Sequence, residues 1–214
     1  MIYKEDVAKR VAAYLLDIKA VKLSPKEPFT WASGIKSPIY CDNRKTLSYP
    51  EVRTYIYTNM AQIIREKYPN AEVVAGVATG AIAIGMLVAQ ELGLPYIYIR
   101  SSKKDHGLQN KIEGNLENGK NVVVVEDLIS TGQSSLDAVE AVREVGSTVL
   151  GMVAIYTYGL PVALDNFKSD GCELTTLTDY NTTISTAVDV NYVANDELET
   201  LREWQKAPAL WWKE

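Results

Sequence analysis

Two adjacent carboxylates, Glu126 and Asp127, stand directly after four valines, Val122 to Val125, and the small or hydroxylated residues Ser130, Thr131, Gly132, Ser134 and Ser135 follow them closely. An unbroken run of valines needs burial on both faces, which makes it a central strand. The carboxyl end of such a strand is where open parallel sheets bind ligands, so the acids face a crevice. The small residues let backbone N–H groups point inward. With the N-terminus of the helix that starts near Ser134, they form an anion site suited to a phosphate. Thr131, Ser134 and Ser135 add hydroxyl donors. Carboxylates beside a phosphate cradle make sense when the phosphate belongs to a sugar. An ionised carboxylate accepts from two vicinal hydroxyls while the loop holds the phosphate nearby.

A second group is basic. Arg100, Lys103, Lys104, His106 and Lys111 fall within a dozen residues of a chain whose net charge is -5. The segment contains Gly107 and Gly114 and follows an apolar stretch. A polar, basic loop next to a phosphate site reads as a lid over a second anion. His106 is the sole histidine, which excludes a multi-histidine metal site.

The elements that must position these groups are readable from periodicity. Residues 4–18 place Val7, Ala8, Val11, Leu15 and Ile18 on one face, predicting a helix. Residues 28–50 are rich in Pro, Ser and Gly, with a short strand around Ile39 to Cys41. A helix is expected from Tyr49 or Pro50 to about Lys67, with Pro50 in its first turn. Strands at 72–78, 95–100, 121–125 and 148–158 then alternate with helices at 81–92 and 134–146, and 173–177 reads as a further strand. A polar loop is expected from 100 to about Asn118. That alternation predicts an α/β fold, a mainly parallel sheet flanked by helices and joined by right-handed crossovers. The C-terminal Trp211 and Trp212 should pack on the body or on a partner subunit.

Composition sets the outer limits. With 47% hydrophobic and 23% charged residues the chain is ordinary globular protein. Its acidic balance argues against nucleic acid as a partner. No apolar run is long enough to span a bilayer, and charges interrupt the first twenty residues, so neither a membrane anchor nor a signal peptide is expected. Cys41 and Cys172 lie in unrelated contexts, which favours a reducing, cytoplasmic setting over a disulfide. GVATG, 76–80, is too weak a match to a dinucleotide-binding glycine motif to suggest a dehydrogenase.

Three segments together carry a family resemblance. VVVVEDLISTGQS, 122–134, resembles the 5-phosphoribosyl-1-pyrophosphate (PRPP) motif of the type I phosphoribosyltransferases. IRSSKKDHGLQNKIEG, 99–114, is similar to the mobile catalytic loop of the orotate phosphoribosyltransferases, and FTWASGIKSPIYCDNR, 29–44, to their N-terminal hood. The segments lie in the family's order, and the similarity spans about residues 5 to 180. Ala32 stands where some members carry a lysine, ATGAIAI lacks another lysine, and AIYTYG lacks an arginine that some members use for orotate.

The resemblance implies a type I phosphoribosyltransferase fold with a small N-terminal hood, divided into residues 1–48 (first helix and hood) and 49–214 (core, with the C-terminal helix packing back). It implies transfer of the phosphoribosyl group from PRPP to orotate with inversion, giving orotidine 5′-monophosphate and pyrophosphate for pyrimidine synthesis. PRPP would be bound by Arg100, Lys104, His106, Glu126, Asp127, Leu128, Ile129, Ser130, Thr131, Gly132, Gln133 and Ser134. Lys104, His106 and Asp127 would be catalytic, and Ser130 would contact orotate. Mg²⁺ would be the cofactor, held mainly by substrate oxygens rather than by protein ligands. A homodimer with the lid shared between subunits is the expected assembly. Transfer to another base, or a non-catalytic PRPP-sensing regulator, are the competing readings. The hood argues against the first, and the retained lid and lack of a DNA-binding module against the second.

Overall fold

The computed structural model describes residues 1–31, 33–100 and 111–212. Helix α1 (Glu5–Asp17) leads into a small irregular region. There β1 (Val21–Leu23) pairs antiparallel with β4 (Ile39–Cys41), and β2 (Phe29–Thr30) pairs with β3 (Lys36–Ser37). A 3-10 helix, Asn43–Ser48, closes this region, and α2 (Pro50–Lys67) follows with Pro50 in its first turn. The α/β part contains β5 (Val73–Val77), α3 (Ile82–Leu92), β6 (Tyr96–Ile99), β7 (Ile112–Glu113), β8 (Asn121–Ile129), α4 (Gln133–Glu144) and β9 (Thr148–Thr157). It continues with α5 (Pro161–Asp170), β10 (Leu174–Asp179) and α6 (Tyr180–Asp189), and ends with α7 (Leu198–Lys206) and α8 (Pro208–Trp211).

The main sheet has the order β10-β9-β8-β5-β6-β7, and all its pairs are parallel except β6 with β7. This is the expected α/β architecture. From β5 the chain moves outward to β6, then returns to place β8 on β5's other side. The order therefore reverses between β5 and β8, which is where such sheets open a ligand crevice.

The four valines of β8 show why the strand is central. Val123 and Val125 enter the core beneath α1, α2, α3 and α6, while Val122 and Val124 enter the core beneath α4 and α5. All four are fully buried. Burying a valine side chain contributes roughly 1.5–3 kcal/mol, so this strand is a principal fastening of both helical layers. The first helix belongs to the same core: Val7, Val11 and Leu15 pack with residues of α2 and α6.

Several boundaries differ from the sequence reading. The strand predicted at 121–125 runs on to Ile129, because β9 continues beside it and pairs Glu126 with Ala154, Leu128 with Tyr156 and Ile129 with Thr157. The acids therefore lie within the strand, past the end of β5, rather than in the loop after it. The loop expected up to Asn118 contains β7, where buried Ile112 and its neighbour Glu113 add an antiparallel edge to β6. After 177 the sequence reading expects only a C-terminal helix packing back on the core; both α6 and α7 form there and bury Tyr180 and Trp204 completely. Trp211 does pack on the body, half-buried against the larger core and 5.4 Å from the Trp212 ring. Both cysteines are free thiols.

Candidate active site

The acids sit where the sheet order reverses. Beyond Val77 the chain turns through Ala78, Thr79 and Gly80 into α3, and Asp127 lies against that turn. A side chain at position 80 would press on the Asp127 carboxylate, so glycine leaves the carboxylate its place there. The Ala78–Thr79 peptide bond is cis. From the hood side, Asn43 donates from Nδ2 to the Asp127 backbone oxygen at 2.6 Å, fastening the start of the 3-10 helix to β8.

Glu126 and Asp127 have different environments. Glu126 is buried, and both of its oxygens are engaged: Oε1 accepts from the Asp127 amide at 2.9 Å and Oε2 from Ser135 Oγ at 2.8 Å. Burial, and then the charge of Asp127, push its carboxyl well above the usual range. Burial also raises Asp127, but hydrogen bonding to Glu126 and to its own backbone, and the Arg44 guanidinium, act against that rise. Of the two coupled carboxyls, Glu126 is therefore pushed further toward the protonated form, and Asp127 is the one better able to carry charge at the cleft.

That cleft has two lobes. One, of about 330 Å³, lies among Asp42, Arg44, the 77–80 turn, Glu126, Asp127 and Ser134. The other, of about 500 Å³, is lined by Thr30, Trp31, Ser33, Ile35, Tyr40, Ser130, Thr131 and Tyr158. Cys41 and Leu128 border both. The second lobe has aromatic walls: Trp31 lies 5.1 Å from the Tyr158 ring and meets buried Trp204 edge-on at 5.6 Å. The Trp31 indole is fixed by a hydrogen bond to the Ile39 carbonyl at 3.1 Å. Burial keeps the Tyr158 phenol protonated well above its ordinary range, which preserves it as a donor.

Ser130, Thr131 and Gly132 make the turn between β8 and α4. Gly132 adopts φ +80°, and a Cβ there would meet the Phe167 ring at 2.7 Å. The first-turn amides of the twelve-residue α4 open at the same edge, which makes an anion site. Of the residues singled out from sequence, Glu126, Asp127, Leu128 and Ser134 border the acidic lobe, and Leu128, Ser130 and Thr131 the aromatic one. Ile129 is buried in the core and joins the site only through its backbone, whose oxygen already accepts from the Tyr158 amide at 3.0 Å. Gln133 is exposed and bonds Asp137 at 2.9 Å. Arg100, directly after β6, forms an ion pair with Glu113 at 3.3 Å. Lys104 and His106 lie outside the described residues, as do Lys103, Gly107 and Ala32.

Sequence reasoning passed over Asn43, Arg44, Gly80 and Tyr158. The Asp-Asn-Arg run at 42–44 was a usable signal, because it ends the hood segment with polar residues that the turn itself does not require.

Known proteins resemble this chain in sequence and fold. The family model described as "Phosphoribosyl transferase domain" matches residues 48–189. Orotate phosphoribosyltransferase of Porphyromonas gingivalis is 55% identical over 96% of this chain and 98% of its own length. That of Enterococcus faecalis is 54% identical over 97% of this chain and 99% of its own. The crystal structure of orotate phosphoribosyltransferase from Aeropyrum pernix superposes with a TM-score of 0.74 at 25% identity, covering 86% of this chain and 99% of that one. Identity at this level over nearly the whole length, together with a cleft at the sheet's point of reversal, leads to one conclusion: the chain belongs to the phosphoribosyltransferase family, among its orotate phosphoribosyltransferases.

Proposed function

We propose that the protein transfers the phosphoribosyl group of PRPP to orotate, yielding orotidine 5′-monophosphate and pyrophosphate in pyrimidine synthesis. The observation that carries this reading is the two-lobed cleft. A charged, acid-lined lobe and a neutral, aromatic lobe meet at Cys41 and Leu128, as a reaction between a phosphorylated sugar and a planar base requires.

The 5-phosphate sits on the Ser130–Ser134 turn and the N-terminus of α4, whose amides favour an anion. Asp127 accepts from the 2- and 3-hydroxyls, and buried Glu126, engaged with the Asp127 amide and Ser135, supports it from behind. As the C1 bond to pyrophosphate lengthens, positive character grows on the ribose, and the nearby Asp127 carboxylate favours it. Flat walls at Trp31, Tyr40 and Tyr158 orient the base, with Ser130 as a polar contact. Orotate is already anionic, so its ring nitrogen needs little help from a general base, and positioning is the main contribution.

Hard carboxylate oxygens beside a diphosphate suit Mg²⁺, and among the described residues no three His, Cys, Asp or Glu side chains gather to cage a metal. The cation would be held mainly by substrate oxygens near Asp127, where it would neutralise charge on the leaving group.

On this reading Lys104 and His106, with Arg100, act on the pyrophosphate and come to each site from the partner subunit of a homodimer. Mixing Lys104→Ala with Asp127→Asn subunits tests this sharing. Half of randomly formed dimers are hybrids with one intact site, so about a quarter of sites should recover. No recovery in confirmed hybrids would show that each lid serves its own subunit. The cytoplasm is the compartment this reading implies, and among the described residues no helix is long and apolar enough to cross a membrane.

The test of substrate choice is a panel of bases, each offered with PRPP and Mg²⁺. Orotate should be consumed, and uracil, adenine and hypoxanthine should not. Consumption of a purine or of uracil in preference to orotate would refute the assignment.

A further inference from the structure

The acidic lobe poses an electrostatic problem. On the reading above it must admit a pyrophosphate, yet Asp42, Glu126 and Asp127 line it and the 78–80 turn is Ala-Thr-Gly, without a cation. Among the described residues that line this lobe, Arg44 is the only cation.

Arg44 is held as a ligand-binding cation would be. Its backbone is anchored. The neighbouring Asn43 bonds the Asp127 carbonyl at 2.6 Å, and Thr46 Oγ1 donates to the Asn43 carbonyl at 2.6 Å. Its side chain is aimed by Asp42, whose Oδ1 accepts from Arg44 Nε at 2.7 Å and from the Arg44 amide at 3.3 Å. Only Nε is used. Among the described residues the two terminal nitrogens have no hydrogen-bond partner, and the side chain is 58% exposed at the mouth of the lobe. A guanidinium with a free terminal fork matches two phosphate oxygens at once.

We propose that Arg44 binds the pyrophosphate group of the phosphoribosyl donor from the hood side of the cleft, opposite the 78–80 turn. The inference rests on the phosphoribosyl-transfer reading and adds a residue of the hood to the leaving-group site. Asp42 is its positioning residue. Asp42 presets the fork in the empty cleft and competes with the incoming phosphate for it. The arrangement also explains why an acid lies beside a diphosphate site: Asp42 keeps the long Arg44 side chain from sampling solvent, which lowers the ordering entropy lost on binding.

The test uses wild type, Arg44→Gln, Arg44→Lys and Asp42→Asn in the full chain. Pyrophosphate and ribose 5-phosphate are titrated by calorimetry, and KM is measured for PRPP and orotate. Arg44 is exposed, so the variants should keep the wild-type fold. Arg44→Gln should weaken pyrophosphate binding and raise the KM for PRPP by about 10- to 100-fold, the effect of losing a charge-assisted contact. Ribose 5-phosphate affinity and the KM for orotate should stay within about twofold, because neither ligand carries a pyrophosphate. Arg44→Lys should recover part of the loss, since an ammonium keeps the charge but not the fork. Asp42→Asn should bind pyrophosphate as tightly as wild type or tighter, because one competing negative charge is gone. Pyrophosphate affinity in Arg44→Gln within twofold of wild type would overturn the proposal. So would equal losses for pyrophosphate, ribose 5-phosphate and orotate, which would mark Arg44 as a support of cleft shape. A wild-type protein that fails to consume orotate would refute the functional reading instead, and the pyrophosphate titration would still judge Arg44.

Discussion

The two lobes of the cleft are assembled in different ways. The acidic lobe takes Glu126, Asp127 and Ser134 from one contiguous strand–turn–helix, Asn121 to Glu144, and only Cys41, Asp42 and Arg44 from the hood. The aromatic lobe gathers residues 30–41 of the hood, 128–131 of the turn and Tyr158 after β9, with Trp204 of α7 behind them. In the first lobe, groups are placed by the backbone of a core strand and by short hydrogen bonds. In the second they are placed by ring packing among distant segments. Chemistry that depends on placing charge is built on the rigid element, and selection of the base is left to loops and walls that can vary.

Breaking the acidic lobe should have the larger consequences. Asp127→Asn keeps the shape but removes the charge, and kcat should fall by about 10²- to 10³-fold with the fold intact. Steady-state rates beside a circular dichroism spectrum measure this, and near-normal turnover would remove Asp127 from the ribose site. Gly80→Ala pushes on the same carboxylate from the turn side. A misplacement of that kind should lower kcat about 10²-fold. Equal effects on the KM for orotate and for PRPP, with kcat unchanged, would show that the turn serves binding alone.

The aromatic lobe should respond more mildly and in a different parameter. Tyr158→Phe deletes one hydroxyl from a wall that otherwise persists, so the KM for orotate should rise by about 3- to 10-fold while the KM for PRPP holds. A larger effect on PRPP would mean that the two lobes are not separate subsites.

The smallest expected change concerns stability. Glu126 has a folded-state pKa above its ordinary value, so the folded protein retains a proton that the unfolded chain gives up. Its favourable contribution is complete below the ordinary carboxylate range and is lost as pH rises through the raised folded value. Glu126→Gln removes that dependence. The variant should be more stable than wild type at neutral pH, by on the order of 1 kcal/mol, with the gain vanishing in acid. Urea unfolding from pH 4 to 8 reads both slopes. A variant less stable at pH 7 than at pH 4, relative to wild type, would reverse the protonation assigned to this acid.

The same contrast explains what was legible in the sequence. The valine run, the acids and the hydroxylated turn could be read because their roles follow from neighbours in the chain, and the structure places that motif at the reversal of the sheet order. The true end of β8 could not be read, because pairing with β9 over the four residues past the valines decides it. Tyr158 looked like one more aromatic in a strand, and its role depends on Trp31 and Tyr40 being folded over from the hood. Gly80 gave no signal of its own, since the space it leaves is filled by a carboxylate forty-seven positions later. Trp204 sits in a C-terminal helix whose place is set by Tyr180, 5.0 Å away, and by Tyr158, contacts that no local pattern announces.

The central claim is that the two lobes join one sugar to one base. Its most direct measurement follows orotate absorbance and released pyrophosphate together in one reaction with PRPP and Mg²⁺. Loss of orotate should be matched one for one by pyrophosphate, with no pyrophosphate released when orotate is omitted. Release of pyrophosphate without consumption of orotate, or a folded protein that binds PRPP and consumes no orotate, would contradict it.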